Sequence, residues 1–261
     1  QDGAGGGDAP VRRDLADAIL VVASRHATPE SRVTAAVSAF TRDDVERLQA
    51  THVDRLLRDA PGVLVVRDGP AGQLSRVYLR GAASNQTLVV IDGIPQNDAT
   101  TGGGYDLSDL GTAAVERVEV LRGSYGVLYG SEAIGGVIDV TTRRGAGPAQ
   151  GFLRVEGGSF DTLREAAGAY GGDPDWSFAL TGANLRTHGE RARESHRASE
   201  ATSRVAYTGV RGLGLTWTGR LVDSRAESPF DFGFGTGLPE VGNTVGAGTS
   251  QTTGVAAEGG V

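Results

Sequence analysis

The 261-residue chain has no cysteine, no methionine and no lysine. Without cysteine there is no disulfide, no thiolate nucleophile and no Cys-ligated zinc site. Without lysine there is no P-loop lysine and no Schiff-base lysine, and all 25 basic charges are arginine. The G-x-S-x-G and H-E-x-x-H patterns are missing, and the four histidines (His26, His52, His188, His196) share no metal-ligand spacing. No catalytic, metal or cofactor constellation is therefore expected, and the chain reads as a non-enzyme. A net charge of −7 argues against broad nucleic-acid binding. No apolar run approaches the ~18 residues of a membrane helix, so any membrane-spanning part has to be β. The chain begins Gln1-Asp2 rather than with methionine, which fits removal of a secretory signal peptide.

Glycine, by contrast, is abundant at 41 residues, about twice its usual share of roughly 7%. Three textures follow one another. Residues 1–27 form a Gly- and Asp-rich leader with one short β-prone run, Ile19–Ala23. Residues 28–148 read as a mixed α+β unit. A strand is expected over Val33–Phe40. A short helix follows Thr41, with Asp43 and Asp44 in its first turn, and a second follows Thr51, with Asp54 three residues on. Pro61-Gly62 ends it. Strands are then expected over Val63–Arg67, Arg76–Arg80, Thr87–Asp92, Arg117–Leu121 and Gly136–Thr142. The Gly-rich stretch Gly123–Gly136 lacks both a lysine and the G-x-G-x-x-G spacing, so it reads as close backbone packing rather than a phosphate loop.

Residues 149–261 alternate with period two. Leu153 and Val155 oppose Arg154 and Glu156. Trp176, Phe178 and Leu180 oppose Ser177, Ala179 and Thr181. Val205 and Tyr207 oppose Arg204 and Thr208. Leu215, Trp217 and Leu221 oppose Thr216, Thr218 and Arg220. A soluble sandwich also alternates, but here the polar face carries Arg, Glu and Thr, and the aromatics Tyr170, Trp176, Tyr207 and Trp217 lie near segment ends or among the apolar positions. Connections alternate between short (Gly171–Asp175, Val210–Gly212) and long (Arg186–Ser199, Arg225–Gly248). Both features are those of antiparallel transmembrane β-barrel strands. About six segments are present. A barrel that holds a domain inside uses about 22, so the barrel is expected to be incomplete.

Leu79-Arg80-Gly81, Val89-Val90-Ile91-Asp92-Gly93-Ile94-Pro95, Val115-Glu116-Arg117-Val118-Glu119-Val120-Leu121-Arg122-Gly123 and Leu128–Val140 occur in an order and spacing that resemble the plug domain of TonB-dependent outer-membrane receptors. The likeness is greatest to the cobalamin and siderophore receptors, and the Ile19–Arg25 segment resembles the cobalamin receptor in particular. The resemblance implies an α+β plug followed by the first strands of a β-barrel in the bacterial outer membrane. It implies uptake of a metal chelate, either cobalamin or an iron–siderophore. The implied partners are TonB, the chelate and outer-membrane lipid, with no nucleic acid. Asp17, Ala18, Ile19, Leu20, Val21, Val22 and Ala23 would be the TonB box, a β-prone run able to add as a strand to a partner's sheet edge; the alternative is an ordinary first strand. Two polar loops would meet ligand, through Ser84, Asn85, Gln86, Gln96, Asn97, Asp98, Thr100 and Tyr105, unless they are merely solvated. Arg80 and Arg122 would pair with acidic groups on the barrel wall, with Glu119 as their alternative, intradomain partner. The segment Thr187–Arg197 contains no Asp, and Asp231 and Glu240 are too sparse for a calcium cage of 6–8 oxygens. That departs from cobalamin receptors with calcium-binding loops. The competing reading from another class is a Gly-rich surface adhesin without transport.

Overall fold

The computed structural model describes residues 19–20, 28–29, 36–97, 102–191, 194–210, 213–228 and 244–259. Near the N-terminus, β1 (Ile19–Leu20) and β2 (Thr28–Pro29) pair antiparallel. The other positions of the expected TonB box, Asp17, Ala18, Val21, Val22 and Ala23, lie outside the described residues, as do Asp98 and Thr100.

The first large unit is a five-stranded sheet. Its strands are β3 (Ala36–Thr41), β6 (Thr87–Ile91), β7 (Ile94–Pro95), β8 (Val115–Arg122) and β9 (Gly136–Thr142). They are ordered β3-β8-β9-β6-β7, with only β6 and β9 parallel. A separate hairpin joins β4 (Val63–Arg67) to β5 (Ser75–Leu79). Two short helices, α1 (Arg42–Arg47) and α2 (Val53–Leu57), pack with one face of the sheet. Thr41 ends β3 and caps α1: the Asp44 carboxylate accepts from the Thr41 N–H at 3.0 Å and its hydroxyl at 2.9 Å. The cap of α2 is His52 rather than the expected Thr51. Asp54 is drawn instead toward Arg67, whose Nη2 stands 2.5 Å from its carboxylate.

The sheet is buried on both faces, which explains its near-continuous apolar strands. Val89, Val118, Val120, Ile138 and Val140 pack with Val45, Val53, Leu56 and Leu57. On the other face Leu88, Val90, Leu121, Val137 and Ala133 make a second cluster, closed by Val37, Tyr125 and Tyr129. The short helix α3 (Gly126–Tyr129) leads back to β9. At Gly136 φ is +150°, and a Cβ would strike the Leu121 carbonyl oxygen. This is the close packing expected of the Gly-rich stretch. Strand β5 stops one residue short of Arg80, because Arg80 and Gly81 both turn left-handed, at φ 51° and 80°.

The second large unit is a six-stranded antiparallel sheet in strict sequence order. Its strands are β10 (Gln150–Gly158), β11 (Thr162–Gly172), β12 (Trp176–Thr187), β13 (His196–Val210), β14 (Leu213–Ser228) and β15 (Thr244–Gly259). Register places Phe152, Gly168, Thr181, Thr202 and Arg220 in one row, all on the same face. That face turns toward the first unit, because Arg220 reaches Tyr105 and Asp109. The opposite face carries Leu153, Val155, Leu180, Trp217 and Leu221, all exposed. The expected period-two faces are thus the observed ones. The strands run longer than expected, and His196–Ser199, read as loop, continues β13. Among the described residues the sheet does not close on itself.

Candidate functional site: a plug held against a barrel wall

The inward face of the six-stranded sheet meets the first unit through polar groups rather than a shared apolar core. Arg220 on β14 donates Nε to Glu200 on β13 at 2.7 Å, Nη2 to the Asp109 carbonyl at 2.9 Å, and Nη1 to the Tyr105 hydroxyl at 3.3 Å. Its side chain is only 8% exposed and that of Glu200 only 11%. Gly111 is packed so closely beneath Glu200 that a Cβ would lie 2.5 Å from Oε2. Asp109 itself accepts from the Ser224 hydroxyl at 2.5 Å and faces His196 Nε2 at 3.7 Å. Burial pushes the Asp109 carboxyl above its ordinary range, against the lowering effects of Ser224 and His196. His196 lies directly against Gly72, where an added Cβ would collide with the imidazole ring.

Three further arginines complete the contact. Arg164 on β11 reaches the Thr112 hydroxyl at 3.1 Å and the Thr51 carbonyl at 3.4 Å. Arg154 on β10 meets Glu46 at 3.2 Å. Arg204 on β13 lies 3.6 Å from Asp92, whose carboxylate also holds the backbone N–H and hydroxyl of Thr142. Beneath this contact His52 is half-buried, and desolvation lowers its imidazole to about 4, so it is neutral at physiological pH.

These pairs reverse the direction that the sequence leads one to expect, in which Arg80 and Arg122 reach acids on the barrel wall. Arg122 instead donates to the carbonyls of Ala36 at 3.1 Å and Pro61 at 2.5 Å. Arg80 stands beside it over Gly62, and among the described residues its guanidinium has no ion pair. Glu119 pairs with Arg117 at 2.6 Å. The contacts that are made run from arginines on the wall to carbonyls and carboxylates of the first unit. They join residues far apart in sequence, so their only local trace is the Arg, Glu and Thr composition of one strand face.

The two expected ligand loops come together. Gly103 packs against Asn85, where a Cβ would lie 3.0 Å from that of Asn85, and Gly104 packs against Ser84. Asn97 ties this corner: its amide donates to the carbonyls of Thr87 and Gly103, both at 3.0 Å, and accepts from Val89 N–H at 2.9 Å. Gln96 donates to the Ile94 carbonyl, and Gln86 accepts from Ala83 N–H. Ser84 and Gln86 are half-buried, while Asn85 is exposed. Tyr105 is half-buried with its hydroxyl on Arg220, and desolvation raises its phenol against the effect of that guanidinium.

Residues 29–137 match the family model described as the TonB-dependent receptor plug domain. Among solved structures, the chain is similar to FpvA of Pseudomonas aeruginosa in complex with a ferric pyoverdine, at 19% identity and TM-score 0.75. That match covers 90% of this chain and 33% of that one. It is also similar to the siderophore receptor PirA of Acinetobacter baumannii (22% identity, TM-score 0.60, covering 72% and 31%). A third is the ferric yersiniabactin uptake receptor FyuA of Yersinia pestis (23%, 0.59, covering 74% and 32%). The chain spans about a third of the length of these structures. The plug-family match places a TonB-dependent receptor plug domain over residues 29–137, and the six consecutive antiparallel strands that meet it with their polar face, apolar face outward, share the fold of the adjoining strands in these receptor structures.

Proposed function

We propose that the protein takes up an iron–siderophore chelate across the outer membrane, driven by TonB. The observation that carries this reading is the polar seam around Arg220, Glu200, Tyr105 and Asp109. A plug fixed by an apolar core could not shift without large cost. A seam of ion pairs and hydrogen bonds can exchange its partners for water as the plug moves. On this reading residues 1–27 carry the TonB box, 28–148 the plug and 149–261 barrel strands. Asp17–Ala23 adds as a strand to TonB in the periplasm. The joined corner of Ser84, Asn85, Gln86, Gln96 and Asn97, extended by Asp98 and Thr100, offers amide and hydroxyl groups to a polar chelate. Arg80 and Arg122 remain candidates for contact with other parts of a barrel wall.

Iron–siderophore is favoured over cobalamin by the calcium-poor loop composition, and the siderophores named for FpvA and FyuA support the same choice. Titration of the detergent-solubilised protein with a panel of ferric siderophores and cobalamin tests it. Saturable binding of a ferric chelate is expected; binding of cobalamin alone would overturn the assignment.

A further inference from the structure

The outward face of the barrel sheet changes character along its length. At one end Trp176 and Tyr207 are paired across β12 and β13 with ring centroids 4.4 Å apart. Next come Phe178, Leu180, Val205, Leu215, Trp217 and Leu221, all outward by register. Ten residues along β12 from Trp176 stands Arg186. It is directly opposite Arg197 on β13, which is directly opposite Arg225 on β14. All three are exposed. At about 3.3 Å per residue and a strand tilt of roughly 40°, the arginine row lies about 25 Å from the aromatic pair. That is the height of the apolar band of an outer-membrane barrel, which places the row at the opposite membrane interface. Of the three connections at this end two, 188–195 and 229–243, are long and one, 159–161, is short, whereas both at the aromatic end, 173–175 and 211–212, are short. Long loops are extracellular in such barrels, so the row faces the outer leaflet.

Like charges directly opposite one another on adjacent strands repel. Among the described residues no ion pair or side-chain hydrogen bond is made by the guanidinium of Arg186, Arg197 or Arg225, whereas Asp223 beside them is engaged. Asp223 and Glu227 flank Arg225 on the same face. In the row below, the Ser199 hydroxyl donates to Asn184, whose amide in turn donates to Glu165. The three arginines, with Asn184, Ser199 and Asp223, line a recess of about 360 Å³. Planar guanidinium forks set side by side suit the oxygens of a phosphate.

We infer that Arg186, Arg197 and Arg225 bind the phosphate of a phosphorylated lipid headgroup in the outer leaflet. The lipid phosphate adds countercharge on the side of the row open to the membrane interface, and fixes the height of this part of the barrel in the membrane. The inference rests on the outward face being the membrane face.

The test uses the detergent-solubilised protein with three probes: bisphosphorylated lipid A, the same lipid dephosphorylated, and inorganic phosphate. Thermal stabilisation by the phosphorylated lipid alone is expected. Replacing all three arginines by Gln should weaken its apparent affinity on the order of a hundredfold, whereas Arg191→Gln in the adjoining loop should leave it unchanged. Without lipid, the triple variant should unfold at no lower temperature than the parent, which separates lost binding from lost fold. Equal stabilisation of parent and triple variant, or equal effects of the dephosphorylated lipid, would overturn the inference. A full effect from inorganic phosphate would mark a free-anion site and overturn it too. Failure to insert into zwitterionic vesicles would remove the membrane face itself, a distinct failure.

Discussion

Arg220 and Glu200 stand side by side on adjacent barrel strands, 2.7 Å apart, and the plug covers them. Arg220 then spends its remaining donors on the Asp109 carbonyl and Tyr105 hydroxyl of the plug. The ion pair within the wall therefore aims the guanidinium that holds the plug.

Removing one partner leaves a buried charge uncompensated. Glu200→Gln is expected to destabilise the protein by about 3–5 kcal/mol, and Glu200→Gln with Arg220→Met by clearly less than the sum of the single changes. Tyr105→Phe should cost about 0.5–1.5 kcal/mol. Denaturant unfolding in detergent, analysed as a double-mutant cycle, measures both. Additive losses would mean that the two side chains act independently.

A second buried cluster gives a pH dependence. Asp139 is paired across strands with Glu119. Burial, then the charges of Glu119 and Asp92, raise its carboxyl to about 7. The folded state therefore holds a proton that the unfolded chain releases near pH 4. While His52, lowered to about 4, contributes in the opposite sense, the Asp139 contribution to stability falls as pH rises from about 4 to about 7 and levels off above. Asp139→Asn should abolish this slope and stabilise the protein by a few kcal/mol at pH 8, since each tenfold change in proton affinity is worth about 1.4 kcal/mol. No gain is expected at pH 4. Unfolding curves across that range decide it; parallel curves for the two proteins would contradict the assignment.

Much of this architecture is legible in local sequence. Thr41 and Asp44 sit three residues apart, the spacing of a helix cap, and the structure uses them as one. Trp176, Phe178 and Leu180 alternate with Ser177, Ala179 and Thr181, and alternation is what a two-faced strand requires. The seam is not legible there. Arg220 meets Tyr105 and Asp109 from more than a hundred positions away, and no local pattern distinguishes an arginine aimed at a carbonyl from one aimed at water. A contact from outside the local window also defeats the reading of Thr51 as a cap: Asp54 is taken by Arg67 from the next hairpin. Arg122, expected from its place at a strand end to reach an acid on the wall, instead donates to the Ala36 and Pro61 carbonyls.

The joined loops separate two roles. Asn97 ties the corner through three hydrogen bonds to backbone, whereas Asn85 is exposed on it. Asn97→Ala should lower stability by about 1–3 kcal/mol and weaken chelate binding with it. Asn85→Ala should weaken binding while leaving the unfolding transition in place. Paired calorimetric titration and melting of each variant check this. Unchanged affinity in Asn85→Ala would remove the loop from the binding surface.

The central claim is energised uptake of an iron chelate through TonB, and radiolabelled ferric-siderophore accumulation by cells producing the receptor tests it most directly. Leu20 lies in the short β1 strand, and proline there removes a backbone donor needed for strand addition. The account predicts accumulation that stops when the proton gradient is dissipated, and stops equally in Leu20→Pro although the chelate still binds at the cell surface. Undiminished accumulation in either condition would contradict it.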